Sequence, residues 1–365
     1  MRFSTTFSIY VVRSLLLNLL YIFLAFCFIS FILELLELVR KIQGKEILVT
    51  QILRIAFYKV PFLIFSFLPF IFLFGSILTF TKLNNNFEIA AAKSAGISIW
   101  SLCIPLIGTV LILSLVILWV IHPISAIFLD KNRLLENKSF GYVSNRVSLN
   151  SNGIWLYDQT PNPVDEKFIT AKGVLENGHS LAEVEVYYTD MSPNHTTNYI
   201  AKTASINNGF LEMKDVTKYA PGLKPEHYEE LNLPTNLVAN QIQESIPNPE
   251  IIPFWNLGSF IKEIKQSGFS TIKHELYYKS LLVSPISYIS LILIALSCSI
   301  NLPRNSKLGI VFIWGSMISI SFYFIDKMVN VMALTSLLPV DIAVLAPTVS
   351  YLLLSSAALI HYEEG

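Results

Sequence analysis

Long apolar runs alternate with short polar breaks along this chain, except for one large polar stretch in its middle. Six runs lack Asp, Glu, Lys and Arg. A hydrocarbon core about 30 Å thick needs roughly 20 apolar helical residues, so each run is of a length that crosses a membrane. The pattern therefore predicts six membrane-spanning helices, over residues 14–33, 60–81, 94–129, 280–303, 308–325 and 342–360.

The polar stretch between the third and fourth runs, residues 130–279, follows another pattern. The segment AEVEVYY at 182–188 alternates apolar and polar positions, which is the period of a half-buried strand. Asn-Gly pairs at 152–153, 177–178 and 208–209 favour hairpin turns, because type I′ turns need positive φ at both central residues. These signals predict an all-β domain over about residues 140–250.

A helical connector is predicted after this β domain. The segment NLGSFIKEIKQSG at 256–268 has helical spacing and ends at Gly268. Ser270 or Thr271 then caps a further helix that runs into the fourth span.

The predicted fold class is a membrane α-helical protein with six transmembrane helices, arranged three plus three around an inserted all-β domain. Residues 1–130 hold helices 1–3 and a short helix at about 84–96. Residues 131–270 form the inserted domain, and residues 271–365 hold helices 4–6. Six spans put both termini on one side of the membrane and the insert on the other. Because six Lys or Arg residues lie in the short flanks of each side, charge alone does not set the orientation.

Composition supports the membrane assignment and excludes some functions. The chain is 53% hydrophobic and only 14% charged, which is too apolar for an ordinary soluble domain. Its 26 basic and 26 acidic residues give no reason to expect a nucleic-acid partner. Its three cysteines lie in apolar runs, so they do not form a disulfide framework in the polar insert.

No motif for catalysis or metal binding is found in the sequence. It contains no G-x-x-x-x-G-K-[ST] loop for ATP phosphates, no H-E-x-x-H and no C-x-x-C. No catalytic residue, metal ligand or cofactor is therefore predicted. A secondary transporter is disfavoured, because the cores of the six apolar runs, near 102–121 in the third, contain none of the ionisable groups that such proteins use inside the membrane.

Charged residues follow the first span, and two interpretations of them stay open. Glu37 is spaced to pair with Arg40 and Lys41 on one helix, which stabilises a helix by about 0.2–0.5 kcal/mol per pair. Alternatively, Arg40 and Lys41, together with Arg133 after the third span, form a cationic rim that binds anionic lipid headgroups.

The short segment LNNNFEIAAAKSAGIS at 83–98 interrupts the apolar pattern between two spans. It predicts a helix with Asn86 as N-cap, Glu88 in the first turn and Gly96 at its end. Glu88 is then either a capping charge or the contact to an arginine of a partner. The second interpretation fits the small side chains of the segment, which allow close approach along one stripe formed by Phe87, Ala90, Ala91 and Ser94.

Four segments, in this order, resemble the LptF/LptG permease family of Gram-negative bacteria. They are LELLELVRKIQG at 33–44, FEIAAAKSAGIS at 87–98, NGIWLYD at 152–158, and LGSFIKEIKQSGFSTIKHELYYKSLLVSPIS at 257–287. Together with the three-plus-three layout, they cover nearly the whole chain. The tryptophan segment resembles the LptG members more than the LptF members.

The resemblance implies a subunit of a lipopolysaccharide exporter in the bacterial inner membrane. It implies an LptF-like permease partner, an LptB-like ATPase dimer that uses the ATP, and LptC-like and LptA-like proteins that extend a periplasmic β-jellyroll bridge. It places both termini in the cytoplasm and the insert in the periplasm, as a β-jellyroll-like domain. The ligands it implies are lipopolysaccharide and membrane lipid, with no nucleic acid.

The resemblance also implies roles for particular residues. Arg40, Lys41 and Arg133 match positions near the lipid phosphates, whereas Glu34 departs from the basic residue expected nearby. The implied ATPase-coupling residues are Phe87, Glu88, Ala91, Ala92 and Gly96. An LptF-type subunit of the same exporter is one alternative, and a membrane-anchored sensor or scaffold with a ligand-binding β domain is another.

Overall fold

The computed structural model describes residues 5–42, 47–140, 147–150, 153–159, 166–175, 180–189, 196–207, 209–235, 246–301 and 308–364. These residues form two compact units. The first is helical and comprises Met1–Phe140, Glu250–Trp255 and Glu275–Gly365, and the second comprises Gly141–Pro249 and Asn256–His274.

The described residues contain nine α-helices. They are α1 Thr5–Lys41, α2 Val49–Asn85, α3 Glu88–Ser94, α4 Ile99–Val116, α5 His122–Phe140, α6 Phe254–Gln266, α7 Ile272–Asn301, α8 Leu308–Leu334 and α9 Val340–Glu364. A π turn, Ile117–Ile121, joins α4 to α5 without a break. A single 3-10 turn, Pro249–Ile251, precedes α6.

Within the described residues, six helical segments are long and apolar enough to cross a membrane, which agrees with the predicted number. They are α1, α2, the continuous helix of α4 and α5, α7, α8 and α9. Most extend beyond the charge-free runs, because helices continue through charged residues near their ends. Thus α1 includes Glu34 to Lys41, α8 includes Asp326 and Lys327, and α5 continues past the predicted boundary at residue 130 to Phe140.

Close packing of α1 on α2 organises the core of the helical unit. Asn18 lies on α1 and donates a hydrogen bond to the Oγ1 atom of Thr79, 2.9 Å away on α2. This contact agrees with the role in helix packing that polar residues within spans commonly have. Gly75 of α2 lies against Leu19, since a Cβ atom at Gly75 would be 3.0 Å from the Leu19 Cα atom.

We expect Gly75→Ala to destabilise the helical unit by about 1–3 kcal/mol, because the added methyl group meets backbone and forces the two helices apart. Gly108→Ala is the matched control, since a Cβ atom there has no neighbour within 4 Å. Thermal unfolding of the purified protein in detergent measures the difference. Equal melting temperatures for the two variants would contradict the close approach.

The second unit contains the inserted β domain. Its described strands are β1 Val147–Asn150, β2 Gly153–Gln159, β3 Glu166–Leu175, β4 Ser180–Thr189, β5 Thr196–Asn207, β6 Phe210–Tyr219 and β7 Glu226–Pro234. They form one antiparallel sheet in the order β1 to β7. The predicted class, six spans with an inserted all-β domain, is confirmed. Among the described strands, each one pairs with its neighbours in chain order.

The strands that flank each Asn-Gly pair are antiparallel neighbours, as the turn signals predict. Asn150 is opposite Gly153, Leu175 is opposite Ser180, and Asn207 is opposite Phe210. Gly209 has φ +79°, which suits glycine at such a turn. Residues 152, 177, 178 and 208 lie outside the described residues.

One face of the sheet packs against the connector helix α6. The core contains Ile169, Val186 and Met213 from the strands, and Ile264 of α6 packs against the same cluster. As predicted, the helix ends just before Gly268, which has φ +80°. The next helix, α7, begins directly after Thr271.

Exposed charge pairs lie on this sheet. Lys172 is 2.5 Å from Glu183, and Lys202 pairs with Asp215. The Lys202 ammonium lowers the pKa of Asp215 below its ordinary value, chiefly through their hydrogen bond. Because these side chains are solvated, the pairs contribute little to stability.

Candidate functional site

A sharp turn after α2 positions the short helix α3. The Asn86 N–H donates to the Lys82 carbonyl, and Phe87 then adopts φ 64°, an uncommon value for a residue other than glycine. Phe87, not the predicted Asn86, stands at the N-cap position, and its side chain makes no capping hydrogen bond. The Asn86 side chain instead donates to Glu88 Oε1 at 3.2 Å, so the N-cap prediction was wrong by one residue.

The two faces of α3 differ in burial. Ile89 is buried in the core of the helical unit, whereas Ala90, Ala91 and Ser94 are exposed. Phe87 is 52% exposed beside them. The exposure of these three side chains agrees with the predicted stripe, and a partner can reach them.

Two of the predicted coupling residues, Ala92 and Gly96, lie outside the exposed stripe of α3. Ala92 is half-buried and borders a small cavity that Leu102 and Leu296 also line, so it lies outside the exposed stripe. Gly96 ends the helix with φ +78°. Its N–H donates to the Lys93 carbonyl, while the Ile97 N–H donates to the Ala92 carbonyl. These two bonds form a Schellman motif, so Gly96 acts as a terminator.

Glu88 is held in place through one oxygen. Its Oε1 atom accepts hydrogen bonds from the Tyr10 hydroxyl at 3.1 Å and from the Asn86 amide. The Oε2 atom has no hydrogen-bond partner among the described residues. Glu88 is therefore a positioned carboxylate whose Oε2 atom is buried as well as unpaired among the described residues, so a donor from another molecule reaches it only after the side chain moves.

The end of α2 that leads into α3 is fixed to the rest of the helical unit. The Asn84 side chain donates to the Ser299 carbonyl at 3.0 Å, near the end of α7. Because Ile89 is buried in the same unit, α3 rests on a packed base and not on a free loop.

A second group of charges lies where α1 ends, α2 begins and α5 ends. A small apolar cluster of Leu38, Ile55, Ala56 and Phe140 joins these three segments. Asn132 of α5 is buried and donates its side-chain N–H to the Ile55 carbonyl at 2.8 Å. The three segments are thus packed together at this level of the helical unit.

Five charged side chains form a continuous row in this region, which we call the ion-pair chain: Glu34, Lys59, Glu37, Lys41 and Glu136. Lys59 Nζ is 2.8 Å from Glu34 Oε2 and 3.7 Å from Glu37 Oε2. Lys41 Nζ is 2.9 Å from both Glu37 Oε1 and Glu136 Oε1. The ion-pair chain therefore links α1, α2 and α5.

The structure brings Lys41 into this ion-pair chain, whereas Arg40 and Arg133 stay outside it. Lys41 is shared between two carboxylates, so the predicted pairing of Glu37 with Lys41 is present. Arg40 and Arg133 are exposed and make no hydrogen bond or ion pair with any described residue. A role of these basic residues in headgroup binding stays a prediction.

Sequence reasoning missed Lys59 and Glu136. Glu34 is only 2% exposed, and a carboxylate so buried needs a cation at the same level. Lys59 lies across the loop between the first two helices, and Glu136 lies in the helix that follows the third apolar run. The charges themselves are visible in the sequence, but their pairing depends on which helix faces meet.

Comparison with known proteins gives the chain its family. The family model described as lipopolysaccharide export system permease LptF/LptG matches residues 9–361. The lipopolysaccharide export system permease protein LptG of Escherichia coli strain K12 is 26% identical over 121 residues, which are 33% of this chain and 34% of that protein. The LptG protein of Escherichia coli O6:H1 strain CFT073 matches with the same identity and coverage.

The matched region is about one third of the length of these curated relatives, whereas the family model spans almost the whole chain. Six membrane-crossing helices around an inserted sheet agree with this multi-pass inner-membrane family. The chain therefore belongs to the LptF/LptG family of lipopolysaccharide export permeases.

Proposed function

We propose that this chain is an LptG-type subunit that extracts lipopolysaccharide from the outer leaflet of the inner membrane and passes it to a periplasmic bridge. The match to proteins named LptG and the segment NGIWLYD support the LptG type over the alternative, an LptF-type subunit of the same exporter. A separate LptB-like ATPase dimer supplies the energy, since the sequence has no phosphate-binding loop.

The exposed stripe of α3 is the observation that carries this proposal. Ala90, Ala91 and Ser94 present little bulk, so a groove on another protein approaches the helix closely. Glu88 stands at the start of the stripe, and once a side-chain movement exposes its buried Oε2 atom, the carboxylate suits a charge-assisted hydrogen bond to a partner's arginine. An ATPase surface that carries an arginine beside a groove has the matching chemistry.

The same arrangement supports cytoplasmic termini and a periplasmic insert. The hydrogen bond from Tyr10 to Glu88 joins the beginning of α1 to α3, so the N-terminus and α3 lie on one side of the membrane. An ATPase that binds α3 is cytoplasmic, because ATP is there. The insert then lies in the periplasm, where LptC-like and LptA-like proteins continue the bridge.

Arg40 and Arg133 are the proposed contacts to the lipid phosphates. Both are exposed and unpaired among the described residues, whereas Lys41 divides its charge between two carboxylates. Glu34 does not repel phosphate as its charge suggested, because it is buried against Lys59. The headgroup site therefore rests more on the two arginines than on Lys41.

The exposed apolar face of α1 supplies a surface for acyl chains and for the LptF-like partner subunit. Tyr21, Leu24 and Phe28 are largely exposed along it. Burial of such apolar groups contributes about 0.8 kcal/mol of favourable free energy per CH₂. By contrast, Ile64, Leu68 and neighbouring apolar side chains of α2 are buried in the core, so α2 offers less free surface than its phenylalanine-rich sequence suggests.

Capture of the ATPase tests the proposal. We expect the tagged wild-type chain to co-purify with a P-loop ATPase and an LptF-like chain, and its depletion to leave new lipopolysaccharide in the inner membrane. Ala91→Trp fills the stripe and removes the ATPase from the purified complex, whereas Ala91→Ser keeps the side chain small and retains it. Normal lipopolysaccharide export in depleted cells would refute the function, and equal capture by both variants would refute the docking site.

A further inference from the structure

One continuous helix connects the region of α3 to the region of the ion-pair chain. It runs from Ile99 to Phe140 and consists of α4, the π turn and α5. Its beginning follows α3 by a short link, and its far part carries Asn132, Arg133 and Glu136. Any movement of α3 that displaces this helix therefore reaches the residues that contact α1 and α2.

The π turn is the irregular point of this helix. The His122 N–H donates to the Ile117 carbonyl, five residues back, instead of four residues back as in an α-helix. Pro123 follows, and its ring would clash with the carbonyl four residues earlier in a regular helix. A wider turn relieves that clash, and such turns are frequent at functional sites.

Proline alone does not explain the π turn. Other described helices contain proline inside regular α-helix, at Pro61, Pro69, Pro105, Pro285 and Pro347. The difference at residues 117–121 is the side chain that closes the turn, because His122 is bound by other segments of the helical unit.

His122 is 2% exposed and lies among aromatic rings from three other segments. Its Nε2 atom is 3.0 Å from the Tyr277 hydroxyl on α7. Its ring centroid is 5.1 Å from that of Phe65 on α2 and 6.5 Å from that of Phe254. These contacts fix the orientation of the helix immediately after the π turn.

The contact is nevertheless incomplete. The Nδ1 atom of His122 is buried and has no hydrogen-bond partner among the described residues. A buried polar atom without a partner lowers the stability of the arrangement that contains it. The arrangement that binds His122 to Tyr277 therefore carries the cost of one unpaired nitrogen.

We propose that the π turn and the His122–Tyr277 contact form a conformational latch within the transport cycle, an inference that rests on the proposed function. When the turn at 117–121 tightens to α-helical geometry, α5 rotates relative to α4 by about 100° and shifts by about 1.5 Å, the values for one helical residue. His122 then leaves Tyr277, and α5 carries Asn132 away from Ile55 of α2 and Glu136 away from Lys41 of α1, and moves Arg133 with them. A displacement of α3 by the ATPase thereby weakens binding of the lipid headgroup.

Tyr277→Phe tests the latch, since it removes the hydroxyl and keeps the ring. The matched control is Tyr278→Phe, because the neighbouring Tyr278 stacks on Phe254 and its hydroxyl makes no hydrogen bond with a described residue. In the complete complex in vesicles, Tyr277→Phe is expected to raise ATP hydrolysis without lipopolysaccharide about fivefold, the effect of one hydrogen bond on an equilibrium. The amount of lipopolysaccharide released per ATP falls, while Tyr278→Phe changes neither quantity.

A purely structural role gives a different result. Tyr277→Phe would then lower the melting temperature and reduce hydrolysis and release in proportion, with an unchanged ratio, and this outcome overturns the latch. Deletion of Val120 offers a second test. It removes one residue from the π turn, so the turn becomes α-helical while α4 and α5 keep their present orientation relative to each other. If this variant releases as much lipopolysaccharide per ATP as the wild type, that result also overturns the latch. If the variant does not accumulate in cells, the Tyr277→Phe experiment decides. A wild-type complex without any ATP-dependent release would count against the proposed function instead.

Discussion

Glu88→Lys is expected to abolish lipopolysaccharide export while the protein remains inserted in the membrane at its normal level. The substitution replaces the carboxylate that we propose to bind the partner by an ammonium, which repels an arginine. Truncating one partner of a charge pair across a protein interface costs about 2–5 kcal/mol, and a like charge costs more. Cells that depend on this variant should stop growing and accumulate lipopolysaccharide in the inner membrane, as measured by membrane fractionation.

Two milder variants separate the partner contact from the local structure. Glu88→Gln keeps an acceptor for the Tyr10 hydroxyl and removes only the charge, so we expect an intermediate loss of ATPase capture. Tyr10→Phe removes the local hydrogen bond and keeps the charge, so export should remain close to normal. If Tyr10→Phe were as harmful as Glu88→Lys, the role of Glu88 would be to hold α3 and not to bind the ATPase.

The architecture was accessible from sequence because the membrane imposes strong rules. Every backbone polar group in a bilayer must be satisfied within its own helix, so apolar runs of sufficient length predict spans directly. The Asn-Gly pairs predicted the hairpins because positive φ is costly for other residues. Helix ends were less predictable: α5 continues to Phe140, since Asn132 and Phe140 find buried places that a charge count does not reveal.

The candidate site was only partly accessible. The exposed alanine face followed from helical spacing, and so did the termination at Gly96. The pairing of Glu34 with Lys59 did not, because it depends on which faces of α1 and α2 meet. The π turn before Pro123 was also hidden, since other prolines in this chain sit inside regular helices. Both features arise from contacts between segments distant in the sequence.

Lys59→Met is expected to destabilise the helical unit strongly. It leaves Glu34 buried without its nearest cation, and breaking a buried pair by removing one partner costs about 3–5 kcal/mol. Removal of Glu34 instead, as Glu34→Gln, should cost less, because Lys59 is partly exposed and remains within 3.7 Å of Glu37. Thermal unfolding of the purified variants in detergent measures this asymmetry.

The double variant Glu34→Gln/Lys59→Met tests the reason for that loss. With the carboxylate charge gone, no uncompensated ion remains in the core, so most of the stability lost in Lys59→Met should return. Arg40→Met is the matched control, since it removes an exposed cation that has no described partner and should change the melting temperature little. If Lys59→Met were as mild as Arg40→Met, Glu34 would not depend on Lys59. The carboxylate would then be free to oppose phosphate, and the proposal that Arg40 and Arg133 bind lipid headgroups would weaken.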